Sequence, residues 1–233
     1  MEKIVILTGA GISAESGLGT FRDAGGLWAE HRIEDVATPD GFARNPALVH
    51  CFYNARRVQA AQARPNAAHM ALARLQAEAR AEVVIVTQNV DGLHEAAGSR
   101  DAIHMHGELS RALCAACGHR WQAALSMSER DTCPRCSAHA CRPDVVWFGE
   151  LPYRMEEILD HLAGASIFAA IGTSGQVWPA AGFAQEAACA GARCVEINLE
   201  PSAVSDDFHK VLRGRASDVV PGWVAGVLSG NGS

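Results

Sequence analysis

Ile4-Val5-Ile6-Leu7-Thr8-Gly9-Ala10-Gly11-Ile12-Ser13-Ala14 is the stretch on which the fold turns. Four apolar residues in succession, three of them β-branched, read as a strand buried on both faces, as in a parallel sheet. Gly9, Gly11 and Ala14 then satisfy the pattern G-x-G-x-x-G/A where strand gives way to helix. Glycines there let the backbone approach a pyrophosphate, and the helix N-terminus favours its negative charge. A simple tight turn accounts for the same string, so its weight depends on what surrounds it. An acidic residue about 20 positions on, the usual ribose ligand, is not convincingly placed.

Further apolar runs at 83–87, 102–105, 145–148, 167–171 and 194–198 read as buried parallel strands. Helix-like stretches alternate with them at 65–79, 179–190 and 219–228, Pro65 being suited to a first turn. This βαβ alternation predicts an α/β domain built on a Rossmann-like, doubly wound parallel sheet. Residues 45–62 read as another amphipathic helix, through Leu48, Val49, Phe52 and Tyr53. With 25–44 they form a helical insert, 25–64. The core is then expected in 1–24, 65–107 and 145–233, within one domain.

The remaining span, 108–144, carries Cys114-Ala115-Ala116-Cys117 and Cys133-Pro134-Arg135-Cys136, fifteen residues apart. Two CxxC turns at that spacing deliver four thiolates to one tetrahedral Zn²⁺, and the expectation is a structural zinc ribbon. No second hydrophobic core is evident in the intervening loop, so folding of the module is expected to depend on the metal.

Composition bounds the rest. The chain has 233 residues, 48% hydrophobic and 20% charged, which is the make-up of a globular protein. Its net charge of −6 argues against non-specific binding to nucleic acid or anionic membranes. Eight cysteines, four claimed by zinc and the others scattered in apolar surroundings, suit a reducing cytoplasm. With Met1-Glu2-Lys3 running straight into Ile4-Val5-Ile6-Leu7, no signal peptide is expected, and no apolar run reaches membrane-spanning length.

Polar residues follow several of the expected strands: Gln88-Asn89-Val90-Asp91, Gly172-Thr173-Ser174 and Asn198-Leu199-Glu200. Ligands of open α/β sheets bind at such carboxyl ends, so these groups mark a rim that a nucleotide would cross. Asn89 and Asp91 equally suit a turn and a helix N-cap. His104 and His106, two apart, face one side of a strand; one suits a base and the other a hydrogen-bonded structural group. Position at the rim beside Gly107 favours His106 as the base.

Taken in order, Gly9-Ala10-Gly11-Ile12-Ser13, Thr20-Phe21-Arg22, Gln88-Asn89-Val90-Asp91, His104-Met105-His106-Gly107, the paired CxxC motifs and Val145-Val146-Trp147-Phe148-Gly149-Glu150 resemble the sirtuin family. Gly172-Thr173-Ser174 and Asn198-Leu199-Glu200 extend the resemblance over essentially the whole chain, which is similar to compact bacterial class III members of the CobB type. One departure is Gly19, where many relatives carry Pro. Another is Cys141, a possible competitor for zinc, as is His139.

The resemblance implies NAD-dependent removal of acyl groups from protein lysines, giving nicotinamide and 2′-O-acyl-ADP-ribose. It implies His106 and Asn89 as catalytic residues. It assigns NAD to Gly9, Ala10, Gly11, Ile12, Ala14, Thr20, Phe21, Arg22, Gln88, Asn89, Asp91, Gly172, Thr173, Ser174, Asn198, Glu200 and Ala216, with Phe21 shielding the reacting carbon. Val145, Trp147, Phe148 and Gly149 would pair with the substrate backbone as an added strand. Tyr53 and Arg56, i and i+3 on a helix, can converge on one carboxylate and match the Tyr-x-x-Arg pattern associated with succinyl- and malonyl-lysine. On a bare helix the same pair reads as a core tyrosine beside a solvated arginine. A monomer acting on acylated proteins is expected. The rivals are an NAD-dependent protein ADP-ribosyltransferase and a non-enzymatic NAD sensor whose ribbon docks a partner. An intact His106 and Asn89 speak against the sensor.

Overall fold

The computed structural model describes residues 2–19 and 31–230. Nine strands are β1 (Lys3–Thr8), β2 (Glu82–Thr87), β3 (Ile103–His104), β4 (Gly107–Cys114), β5 (Arg120–Gln122), β6 (Cys141–Val145), β7 (Ile167–Ile171), β8 (Arg193–Asn198) and β9 (Lys210–Arg213). Helices α1 (Ala10–Ser13), α2 (Ile33–Val36), α3 (Pro39–Arg44), α4 (Pro46–Gln62), α5 (Ala67–Glu78), α6 (Leu93–Ala96), α7 (Met155–Ala163), α8 (Phe183–Cys189) and α9 (Ala216–Leu228) complete the described elements, with short 3₁₀ turns between them.

Six strands form one sheet in the order β3-β2-β1-β7-β8-β9, every pair parallel. Counted along the chain, that is the 3-2-1-4-5-6 order of a doubly wound dinucleotide-binding sheet. Alternation along β1 sorts the core into two layers. Ile4 and Ile6 pack with Leu72 and Leu75 of α5 and Val220 and Trp223 of α9. Val5 and Leu7 face the other way, onto Ile158 and Leu162 of α7 and Phe183 of α8. Strands buried on both faces are continuous apolar runs for this reason.

Several expectations need correction. Residues 145–148 are not a strand of the parallel sheet. Val145 instead ends β6, which pairs antiparallel with β4 in a separate sheet of order β5-β4-β6. The helix expected from Pro65 starts later: Asn66 is the N-cap, its side chain accepting from Ala68 N, and Pro65 lies outside. The stretch from Pro179 divides into a 3₁₀ turn at Ala180–Gly182 and then α8. The zinc module is also less bare than expected. Ala112, Met127 and Cys141 pack with Cys114 and Cys133 into a small buried cluster.

Candidate active site

The parallel order reverses between β1 and β7, and a crevice opens there, beyond the strands' carboxyl ends. Gly9 follows β1 and Gly172 follows β7, and the two turns touch: Gly11 N donates to Gly172 O at 2.8 Å. A Cβ on Gly9 would lie 2.7 Å from Gly172 O, and one on Gly11 2.7 Å from Gly172 Cα. These glycines are therefore required first by the contact between two loops, and only then by any ligand. The helix they introduce, α1, is four residues long. Its dipole is correspondingly small, a correction to the helix-terminus expectation.

The crevice is a cleft of about 1250 Å³. That exceeds the roughly 300–1,000 Å³ of small-molecule pockets and leaves room for a dinucleotide beside a second ligand. Its walls include Gly9, Ala10, Gly11, Ala14, Gln88, Asn89, Asp91, His106, Gly172, Thr173, Ser174, Asn198, Glu200 and Ala216. The helical insert adds Tyr53 and Arg56, and the segment after β6 adds Val145, Trp147, Phe148 and Gly149. Ile12 is the exception: it is wholly buried in the core beneath the loop. Thr20, Phe21 and Arg22 lie outside the described residues.

Hydrogen bonds fix most of these groups before any ligand arrives. Gln88 Nε2 donates to Thr173 Oγ1 at 3.0 Å, bridging the ends of β2 and β7. Asn198 Nδ2 donates to Thr173 O at 2.7 Å, so this amide positions a loop rather than standing ready for a ribose. Asp91 Oδ1 accepts from Leu93 N at 3.1 Å, a local cap. Its Oδ2 accepts from Ser13 Oγ at 3.1 Å, and that same hydroxyl accepts from Asn89 Nδ2 at 3.1 Å. Ser13 thus joins the two polar residues after β2. Sequence reading missed it, although it lies inside the quoted glycine-rich string.

The two histidines separate by their partners. His106 Nδ1 lies 3.1 Å from Gln88 O. A carbonyl only accepts, so Nδ1 carries the proton and Nε2 keeps its lone pair. Burial lowers the pKa of His106 further than that carbonyl raises it. His104 lies 3.1 Å from Asn89 O through Nδ1 and 2.9 Å from Glu95 Oε1 through Nε2. Both of its nitrogens face acceptors. Burial opposes charge on His104, but Glu95 and the carbonyl outweigh it and the pKa rises. His104 is a strut held between two acceptors, and His106 has the free basic nitrogen.

Beneath the cleft lie two more buried imidazoles, His69 and His94, with ring centres 5.1 Å apart. His69 Nδ1 accepts from Asn66 N, which leaves Nε2 to donate toward Ser13 Oγ at 3.4 Å. His94 Nε2 pairs with Thr8 Oγ1 at 2.9 Å. Burial drops His69 to about 4 and His94 to about 3. Each stays neutral in the folded protein, whereas an unfolded histidine protonates near 6.5. Stability from this pair is therefore complete above about pH 6.5 and lost as pH falls toward about 4 and about 3. At pH 5 each costs about 2 kcal/mol. Tm measured at pH 7 and pH 5, with zinc content checked as unchanged, is expected to fall on the order of 10 °C. A flat profile contradicts buried neutral imidazoles.

Val146, Trp147 and Phe148 already use their backbone N–H groups within the chain, donating to His106 O, Glu150 Oε2 and Ala37 O at 2.8–3.0 Å. A substrate backbone docking here meets carbonyl groups rather than those donors. This departs from the full added strand expected. At the far side, the four sulfurs of Cys114, Cys117, Cys133 and Cys136 lie within 4.8 Å of one another. Two pairs, Cys114 with Cys136 and Cys117 with Cys133, are 3.7 Å apart. Tetrahedral Zn–S bonds of about 2.3 Å put sulfurs about 3.8 Å apart, so the cluster fits a four-thiolate zinc site with no open position. Cys141 is outside it; its backbone pairs with Cys114 in the β4–β6 ladder. Among the described residues no other such metal-ligand cluster is found.

Sheet order, cleft and thiolate module together define a dinucleotide-binding α/β protein with a structural zinc appendage. Comparison with known proteins narrows this: the model of the Sir2 family matches residues 9–179, and the chain belongs to that family. An NAD-dependent protein deacylase of Salmonella typhimurium is 54% identical over 231 residues, covering 98% of this chain and 85% of the relative. The crystal structure of a Sir2 homologue–NAD complex is similar at a TM-score of 0.90 and 36% identity, covering 98% of this chain and 90% of that one. A mutant Sir2 homologue in complex with 2′-O-acetyl ADP ribose is similar at 0.90 and 35% identity, covering 99% and 94%.

Proposed function

We infer that this chain is an NAD-dependent protein deacylase acting on protein lysines, and that it removes succinyl and malonyl groups as well as acetyl. The observation that carries the acyl range is the entry of Tyr53 and Arg56 into the same cleft as His106 and Asn89. Bound NAD supplies a glycosidic carbon with nicotinamide as its leaving group. His106 takes a ribose hydroxyl proton on Nε2, the nitrogen left basic by the Gln88 carbonyl. Asn89 and Asp91, joined through Ser13, present a preset polar wall to the ribose and carboxamide. With one water consumed, the products expected are nicotinamide, free lysine and 2′-O-acyl-ADP-ribose, in keeping with the relatives' names and complexes.

Tyr53 is buried, and burial raises its pKa, so the phenol keeps its proton. Arg56 is half-buried one turn on, and burial works against its charge, lowering its pKa. An acyl carboxylate placed between them offsets that cost of burying charge. Such a pair is worth about 1.5–3 kcal/mol, or roughly ten- to a hundredfold in kcat/KM. Arg56→Met is expected to lower desuccinylation by that factor and to affect deacetylation far less; Tyr53→Phe acts the same way more mildly. Kinetics on matched acetyl- and succinyl-lysine peptides check it. Equal losses on both acyl groups mean that Arg56 only supports the insert.

Free cysteines support a cytoplasmic setting. No described helix is long and apolar enough to cross a membrane.

A further inference from the structure

Trp147 Nε1 donates to the Tyr53 hydroxyl at 2.9 Å, and both side chains are almost fully buried. The indole is held rigidly. Arg142 lies over its ring with Cζ 3.5 Å from the centroid, and Phe42 meets it at 5.2 Å. Arg142 in turn grips Glu150 through two bonds of 2.6 and 2.9 Å, and Glu150 Oε2 accepts from Trp147 N. The ring therefore has one orientation, with its N–H aimed at the phenol.

Conjugation keeps a phenol O–H in the plane of its ring, so the proton has two positions. A hydroxyl that accepts the indole N–H cannot also aim its own proton at that nitrogen. The other position points away from Trp147, and Tyr53 lines the cleft. We propose that Trp147 is a positioning residue for acid recognition: by filling one lone pair of Tyr53 it turns the phenol proton toward the acyl carboxylate. An accepted hydrogen bond also makes a hydroxyl a better donor. The inference rests on the reading of Tyr53 and Arg56 as the acid subsite.

The test is a double-mutant cycle reading the ratio of succinyl to acetyl kcat/KM. Trp147→Phe keeps an aromatic ring under Arg142 and removes the N–H. It is expected to lower the ratio three- to tenfold, mostly through KM for the succinyl peptide. In a Tyr53→Phe background the same change is expected to leave the ratio unaltered, because the hydroxyl it positions is gone. Should Trp147→Phe fold poorly, Trp147→3-benzothienylalanine keeps the bicyclic shape and exchanges only N–H for sulfur. Arg56→Met and Tyr53→Phe serve as controls. If neither lowers the ratio, acid recognition itself is wrong, and the Trp147 proposal goes with it. If both lower it while the Trp147 variants leave it at the wild-type value, or lower it equally without the Tyr53 hydroxyl, the positioning role alone is overturned.

Discussion

His106→Ala is expected to lower kcat/KM for deacylation by about 10²–10⁴-fold while NAD still binds and the fold persists. The size follows from the role of a general base. The choice of residue follows from the hydrogen bonds: His106 meets a carbonyl through Nδ1, leaving Nε2 basic in the cleft. His104 has both nitrogens against acceptors and a raised pKa, conditions that hold a proton rather than take one. Because burial lowers the pKa of His106, the acid limb of kcat/KM for an uncharged acyl peptide is expected below the ordinary histidine value. Near wild-type turnover in His106→Ala, with His104→Ala inactive, moves the base to His104.

The second large effect concerns zinc. Cys133→Ser is expected to lower zinc content and soluble yield together, and chelation of the wild type to do the same. Structural zinc in zinc-finger peptides contributes about 10–16 kcal/mol, comparable with the whole stability of a domain at about 5–15 kcal/mol. The small cluster of Ala112, Met127 and Cys141 is too slight to replace that. Loss of the module also reaches the cleft. Asn54, between Tyr53 and Arg56, clasps Met127 through bonds of 2.8 and 2.9 Å, and Asp144 of β6 accepts from Arg120 and Tyr153. Full zinc occupancy and full activity in Cys133→Ser contradict the assignment, and Cys141 or His139 then becomes the ligand to test.

What the sequence made legible has a physical pattern. Strands buried on both faces are uninterrupted apolar runs, so β1, β2, β7 and β8 were readable to within a residue or two. The CxxC pairs were readable because metal geometry fixes local spacing. β6 was not: Pro143 and Asp144 interrupt its pattern, and the apolar residues just beyond it invite a strand that the ladder with β4 does not continue. β9 is four residues beginning at Lys210 and ending at Arg213 on the sheet edge, too short and too charged to stand out. Within the site, side chains after strands were visible, but their partners were not. Ser13 meets Asn89 and Asp91 some seventy-odd residues away, and Trp147 meets Tyr53 across 94. Such contacts arise from packing between elements, which no local spacing encodes.

The most direct measurement mixes the protein with NAD and matched acetyl- and succinyl-lysine peptides and reads all products by mass spectrometry. The account predicts free lysine peptide, nicotinamide and the matching 2′-O-acyl-ADP-ribose from both, with the succinyl reaction depending on Arg56. Nicotinamide release with ADP-ribose attached to protein and no loss of acyl mass from the peptides would contradict it.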